Sequence, residues 1–258
     1  MGIIIENKNC LDYLSTIEDE SVDLVLTDPP YFIGFDGGKG WDSQWKTEEE
    51  YLAWCKLWTD ECVRGLKPNR MLVVWGTLKT DTFLRYKLDI LNSYESMHGQ
   101  NEIIWGYNWG GRTKKNFARK HEYAWCYSKG KDFLFNDHDI RVERKVKKNL
   151  RTGKEHTQGT IPTCIWEKNN HTTSKDFIGW HPTTKNIDIL ERIIRAYSNE
   201  GDNVLDIFSG SGSTAVACVR SNRNFSGCEL DQEYHEKSLI RINESIGLTK
   251  YMKEMKTL

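Results

Sequence analysis

A chain of 258 residues with 38% hydrophobic content is long enough to bury a sizeable core, as one large domain or two small ones. Its 36 Lys and Arg nearly balance 37 Asp and Glu, and no apolar run approaches the roughly 18 residues of a membrane span; residues 1–9 are too short and polar for a signal peptide, so a cytoplasmic protein is expected. Seven cysteines form an odd set without any C-x-x-C pair, which argues against a disulfide framework and a thiolate zinc site and leaves no metal to expect.

Along the chain, Val22 to Thr27 is a short apolar strand running into Asp28-Pro29-Pro30-Tyr31, where two prolines end it. Residues 32–45 carry Gly34, Gly37, Gly38 and Gly40 among polar residues and read as a mobile loop. Thr47 with Glu50 three residues later makes a capping box, and Tyr51, Leu52, Trp54, Cys55, Trp58 and Cys62 repeat at helical spacing. Residues 71–75, 102–105 and 122–127 read as further strands, and the alternation of strand and helix is that of an α/β sheet.

Residues 136–180 are polar, basic and without periodicity, the mark of an inserted specificity region. From Arg112 to Lys154 there are 14 Lys and Arg against 5 Asp and Glu, while the rest of the chain holds 22 and 32. One basic segment on an acidic body is the pattern of a nucleic-acid-facing surface, although a solvated basic loop fits the same charges. Regular structure resumes at His181-Pro182-Thr183-Thr184-Lys185, where the proline is expected to open a helix with the apolar face Ile187, Leu190, Ile193, Ile194 and Tyr197.

A strand over residues 203–207 then enters the turn Phe208-Ser209-Gly210-Ser211-Gly212, followed by a small-residue helix and a strand ending at Glu229. Such a βαβ unit lets a ligand approach backbone at a helix N-terminus, and the acid at the second strand's tip can hold a ribose diol. Thr214 or Ala215 stands where a dinucleotide fingerprint has its third glycine, which disfavours NAD, and no Gly-Lys-Ser/Thr follows to make a P-loop.

The tetrad Asp28-Pro29-Pro30-Tyr31 and the turn Phe208-Ser209-Gly210-Ser211-Gly212 together resemble the two hallmarks of the S-adenosylmethionine-dependent amino-methyltransferases of DNA. With the tetrad first, the order is that of the β group, and the resemblance covers roughly residues 8–238. It implies a doubly wound, mostly parallel, seven-stranded Rossmann-like sheet. Residues 1–135 are then the catalytic half, 136–180 the target-recognition region and 181–258 the cofactor half. It further implies catalysis by Asp28, Pro29, Pro30 and Tyr31. S-adenosylmethionine is expected near Phe208, Ser209, Gly210, Gly212 and Glu229, with its adenine by Asn9 and Cys10, its carboxylate on Thr183 and Lys185, Asp28 beside it, and Asp206 organising the turn.

The resemblance also implies double-stranded DNA as substrate, a restriction–modification setting with a cognate endonuclease, a monomer or homodimer, and a bacterial, archaeal or phage origin. Arg144, Lys147, Lys148 and Arg151, with Lys145 and Lys154 in the same basic run, are expected to face the duplex. Trp41 or Phe35 in the glycine-rich loop is the expected wedge or stacking residue.

The tetrad makes chemical sense on its own. An exocyclic amine of adenine or cytosine is a poor nucleophile because its lone pair is delocalised into the ring. A carboxylate and a backbone carbonyl, here Asp28 and Pro29, can hold the two N–H groups and aim the lone pair at a methyl sulfonium. Tyr31 can stack on a base drawn out of the duplex. Methylation at cytosine C5 needs a cysteine after a proline, and none of the five prolines has one. Cytosine N4 uses the same amine logic, but the tetrad of that subgroup more often begins with Ser, so Asp28 favours adenine N6. A catalytically silent nucleic-acid-binding subunit and an RNA or protein-amide methyltransferase are the remaining rivals.

Overall fold

The computed structural model describes residues 2–108, 113–144, 146, 148, 151–153, 155, 158–167 and 178–255. In chain order it contains β1 (Ile3–Asn7), α1 (Cys10–Leu14), β2 (Val22–Thr27), α2 (Glu48–Gly65), β3 (Leu66–Gly76) and α3 (Asp81–Arg85). β4 (Met97–Gly106) and β5 (His121–Lys129) follow, then β6 (Ile165–Glu167), α4 (Ile187–Tyr197), β7 (Asn203–Asp206), α5 (Ser213–Arg220), β8 (Asn224–Glu229) and α6 (Gln232–Met255).

The strands form one sheet in the order β1-β8-β7-β2-β3-β5-β4-β6, and β5 alone runs against the rest. Among the described residues the sheet has eight strands where seven were expected. The extra one is β6, whose three residues pair in parallel with β4 and are too few to show a period in sequence. β2 and β7 are neighbours, with Leu24 opposite Val204 and Val25 opposite Leu205, so the tetrad and the glycine turn leave the sheet side by side.

Helices cover both faces, which is why β2 is buried along its whole length rather than alternately. Leu24, Leu26, Val73 and Trp75 point into the core under α4 and α5. Val25, Leu72 and Val74 point into the other core, under α1 and α2. All seven cysteines are free thiols, six of them buried, and behave as small core residues. Among the described residues no helix is long and apolar enough to cross a membrane.

Two local expectations need correction. The helix after His181 does not open at Pro182 but at Ile187, because Asn186 is the N-cap and its side chain accepts from the Ile189 N–H at 3.2 Å. The preceding residues instead turn towards the sheet's carboxyl edge, held by the Thr184 hydroxyl on the His181 carbonyl at 3.3 Å. Residues 32–45 are not a loose loop. Buried Asp42 accepts from the N–H groups of Phe32 (2.6 Å), Ile33 (2.8 Å) and Phe35 (3.1 Å), folding the segment around one carboxylate. Lys39 then ties it to the start of α6 through Glu233 at 2.6 Å and Asp231 at 3.3 Å.

Candidate active site

The capped helix α2 carries the aromatic residues that brace the tetrad. The Thr47 hydroxyl accepts from the Glu50 N–H at 3.2 Å, and the Glu50 carboxylate reaches back to the Lys46 N–H at 2.8 Å, one residue before the cap. One turn on, the Tyr51 hydroxyl donates to the Pro30 carbonyl at 2.7 Å. Among the described residues no donor occupies the Pro29 carbonyl, which is thereby left as the acceptor the tetrad offers.

Asp28 is held from two sides. The Tyr31 hydroxyl donates to one carboxylate oxygen and the Lys185 ammonium to the other. Lys185 also lies 3.3 Å from Glu122 at the start of β5, and its side chain is only 7% exposed. Burial works against the lysine's charge, yet the two carboxylates outweigh it and hold its pKa above the ordinary value. Burial pushes the Glu122 carboxyl upward, with Lys185 opposing and Asp28 adding to the rise. Burial and the neighbouring Asp28 likewise hold the Tyr31 phenol protonated. The Tyr31 ring packs edge-on against Phe83 at 5.1 Å, with the Lys185 ammonium 5.7 Å from its centre.

Beside this cluster opens a cleft whose lining is drawn from both the first and the last parts of the chain. Asp28, Pro30, Thr183, Phe208, Gly210 and Glu229 reach its wall from the expected set, as do Asn9 and Cys10. Burial pushes the Cys10 thiol up to about 12, so it offers a neutral contact. Asn9 caps α1, its side chain accepting from the Leu11 N–H at 2.9 Å. Glu229 receives the Gly210 N–H at 2.7 Å on one oxygen and the Asp231 N–H at 2.9 Å on the other, which fixes the carboxylate at the strand tip.

Gly210 has φ +48°, and a Cβ there would stand 2.8 Å from the His181 Nε2. Gly212, at φ +74°, caps α5. The other expected residues support the wall from behind. Asp206 accepts from Thr27 (2.8 Å), Thr214 (2.7 Å) and the Phe208 N–H (3.1 Å), the work of a turn organiser; burial pushes its carboxyl up to about 6 against these bonds. Ser209 bonds the Asp206 carbonyl at 3.1 Å. Lys185 is turned away from the cleft onto Asp28 and Glu122.

Sequence reasoning missed Glu122, His181 and Trp54. Glu122 is a lone acid in a strand, and only the fold brings Lys185 to it. His181 belongs to a segment already singled out, but its packing over Gly210 depends on the turn between them. Trp54 looked like helix packing; it also lines the cleft and meets Phe208 at 5.5 Å.

Trp41, expected on the DNA side, lines this cleft, and Phe35 is 53% exposed. Arg144 bonds the Gln158 carbonyl at 3.2 Å and Lys148 lies 3.6 Å from Glu155, while Arg151 is exposed. Lys147, with Lys145 and Lys154, lies outside the described residues.

A DNA methylase family model matches residues 22–240. The chain is 32% identical to the type II methyltransferase M.HpaI of Haemophilus parainfluenzae over 241 residues, covering 93% of this chain and 74% of that protein. It is 30% identical to the type II methyltransferase M1.MboII of Moraxella bovis over 259 residues, covering 93% of this chain and 96% of the relative. The DNA adenine methyltransferase YhdJ of Escherichia coli K12 is 32% identical over 248 residues, covering 91% and 81%. Among solved structures, the cytosine-N4-specific PvuII DNA methyltransferase superposes with a TM-score of 0.72 at 18% identity, over 96% of this chain and 93% of that one. The M1.HpyAVI complex with S-adenosylmethionine does so at 0.61 and 23% identity, over 93% and 99%; at these identities the likeness is one of fold.

Proposed function

The chain belongs to the DNA methylase family of N6 and N4 amino-methyltransferases, and from that premise we propose that it transfers a methyl group from S-adenosylmethionine to the N6 amine of adenine in double-stranded DNA. The observation that carries this reading is the Asp28 carboxylate, fixed by Tyr31 and Lys185 in the wall of a cleft that Gly210 and Glu229 also line.

The cleft fits the cofactor. Gly210 leaves backbone bare where a Cβ would meet His181, and a fixed carboxylate stands at the tip of β8. When bound, S-adenosylmethionine supplies an electrophilic methyl on a sulfonium. Glu229 has a further lone pair on each oxygen for the ribose hydroxyls. Asn9 and Cys10 would hold the adenine, and Thr183 with His181 would meet the methionine end, all four lining the cleft. Asp28 and the Pro29 carbonyl accept the two N–H groups of the target amine, freeing its lone pair for attack. The Lys185 ammonium donates to Asp28 and fixes the direction of its carboxyl group beside the target amine.

Residues 136–180 read the target sequence in this proposal, and the product belongs to a type II restriction–modification setting in a bacterial cytoplasm, as the names of the relatives suggest. The test is sequencing of modified bases in DNA from a host expressing the protein. N6-methyladenine at one motif supports the reading, N4-methylcytosine moves the chemistry to the other amine, and unmodified DNA overturns it. Asp28→Ala is expected to abolish transfer while cofactor binding persists. Gly210→Val is expected to lose cofactor binding first, since both its φ and its neighbour reject a branched side chain.

A further inference from the structure

We propose that residues 113–120, between β4 and β5, are the part of this surface that enters the duplex, with the Phe117 ring as the wedge that fills the stack when the target base is withdrawn. The proposal rests on the DNA-methylating reading above and names a contact that neither motif contains.

Phe117 is 95% exposed, and among the described residues no other large apolar side chain exceeds 64%. One exposed ring is ordinary on a protein surface, so its setting decides the matter. Lys114, Lys115, Arg119 and Lys120 surround it without any acid in the segment. Among the described residues, none of these four cations meets a carboxylate. The basic run further along the chain differs, because Arg141 is bonded to Asp137 and Lys148 lies 3.6 Å from Glu155. Lys114 and Lys115 are thus available to phosphates, Arg119 and Lys120 each give one donor to a backbone carbonyl and keep the others, and an apolar ring among them matches the side chains that kink or unstack DNA.

Topology puts the ring beside the catalytic cluster. Because β5 runs against its neighbours, the β4–β5 connection lies at the carboxyl edge of the sheet, where Asp28 leaves β2. Trp105 on β4 pairs with Glu122 on β5, and the Tyr107 N–H bonds the Lys120 carbonyl at 3.0 Å, closing the ladder at the foot of the segment. Arg119 donates to the Leu78 carbonyl just past the end of β3, clamping that foot onto the neighbouring strand. The foot therefore sits next to Glu122, which holds Lys185 against Asp28. The two aromatic residues of the glycine-rich segment are placed otherwise: Trp41 lines the cofactor cleft, and the Phe35 backbone is pinned by Asp42 at 3.1 Å.

The experiment compares single-turnover methyl transfer on two duplexes carrying the motif found by base sequencing, one fully paired and one with the target opposite an abasic site. The second removes most of the work of opening the pair. Phe117→Ala is expected to slow transfer about tenfold on the paired duplex and to stay within about twofold of the parent on the abasic one, with Phe117→Leu recovering part of the loss. Lys114→Ala with Lys115→Ala is expected to weaken binding of both duplexes and to flatten the slope of log affinity against log salt by up to about two. Cofactor binding checks the fold of each variant. Equal loss on both duplexes, or no loss on either, overturns the wedge while leaving the reading of function intact. A parent protein that methylates neither duplex overturns that reading and the wedge with it. A segment that instead docks another protein would show the second pattern, no loss on either duplex.

Discussion

Lysine 185 stands between two carboxylates, and the second is what the tetrad motif does not mention. With Asp28 alone, the buried ammonium would have a single carboxylate to offset its desolvation. Glu122 gives the ammonium another partner and supports its charge. Glu122→Gln is therefore expected to lower kcat about tenfold without changing cofactor affinity. It should also move the alkaline limb of the pH–rate profile to lower pH, since Lys185 loses one of the charges that hold its proton; Glu122→Asp should restore the limb. An unmoved limb would show that Glu122 only packs. His181 makes an opposite use of burial. Desolvation first, then the nearby Lys185 and Arg241 charges, depress its imidazolium to about 4 from an ordinary 6.5. The ring is thus neutral at pH 7, with Nδ1 accepting from the Thr183 N–H at 3.3 Å and Nε2 carrying the hydrogen beside Gly210. The unfolded chain takes up this proton near 6.5 and the folded one near 4, so the stability it contributes is full above 6.5 and lost as pH falls towards 4. Histidine NMR should find the low midpoint, and melts at pH 7 and pH 5 should differ less in His181→Asn than in the parent.

The segment over the cleft owes its shape to one side chain. Asp42→Ala leaves three backbone N–H groups without their acceptor, a loss of about 1–3 kcal/mol for a charged hydrogen-bond centre of this kind. Because Trp41 and Gln44 line the cofactor cleft from this segment, cofactor affinity is expected to fall about tenfold, with new protease cleavage within residues 32–45; calorimetric titration and limited digestion read both. This arrangement also shows where sequence stops being legible. β2, the capped α2 and the βαβ unit around Gly210 declare themselves through local period, caps and glycines, and the structure places each within a few residues of expectation. The glycines of residues 32–45 signal a turn-rich segment, but that Asp42 gathers it and that Lys39 fastens it to α6 are long-range facts. The same holds for Glu122 with Lys185, and for β6, whose three residues carry no pattern of their own. Pro182 misled because proline favours a helix's first turn, while here Asn186 supplies a better cap.

β1 pairs with β8 and β2 with β7, so the first and last parts of the chain share one sheet and two continuous cores. The motif-based halves, 1–135 and 181–258, are accordingly not independent folding units. Calorimetry should show a single transition, raised by cofactor at 100 times its Kd by about 2.7 kcal/mol; two resolved transitions would contradict the shared core. Lys39 carries a consequence for how such a molecule behaves in solution. Its pairs with Asp231 and Glu233 hold the segment above the cleft, and they lie in reach of solvent ions, as do the cations of residues 113–120. Added salt, with a Debye length of about 10 Å at 0.1 M, weakens both sets together. Loosening the first lets cofactor exchange faster; loosening the second lets DNA leave sooner. Turnover should therefore peak at an intermediate ionic strength, its rising side limited by exchange at the cleft and its falling side by the hold on DNA.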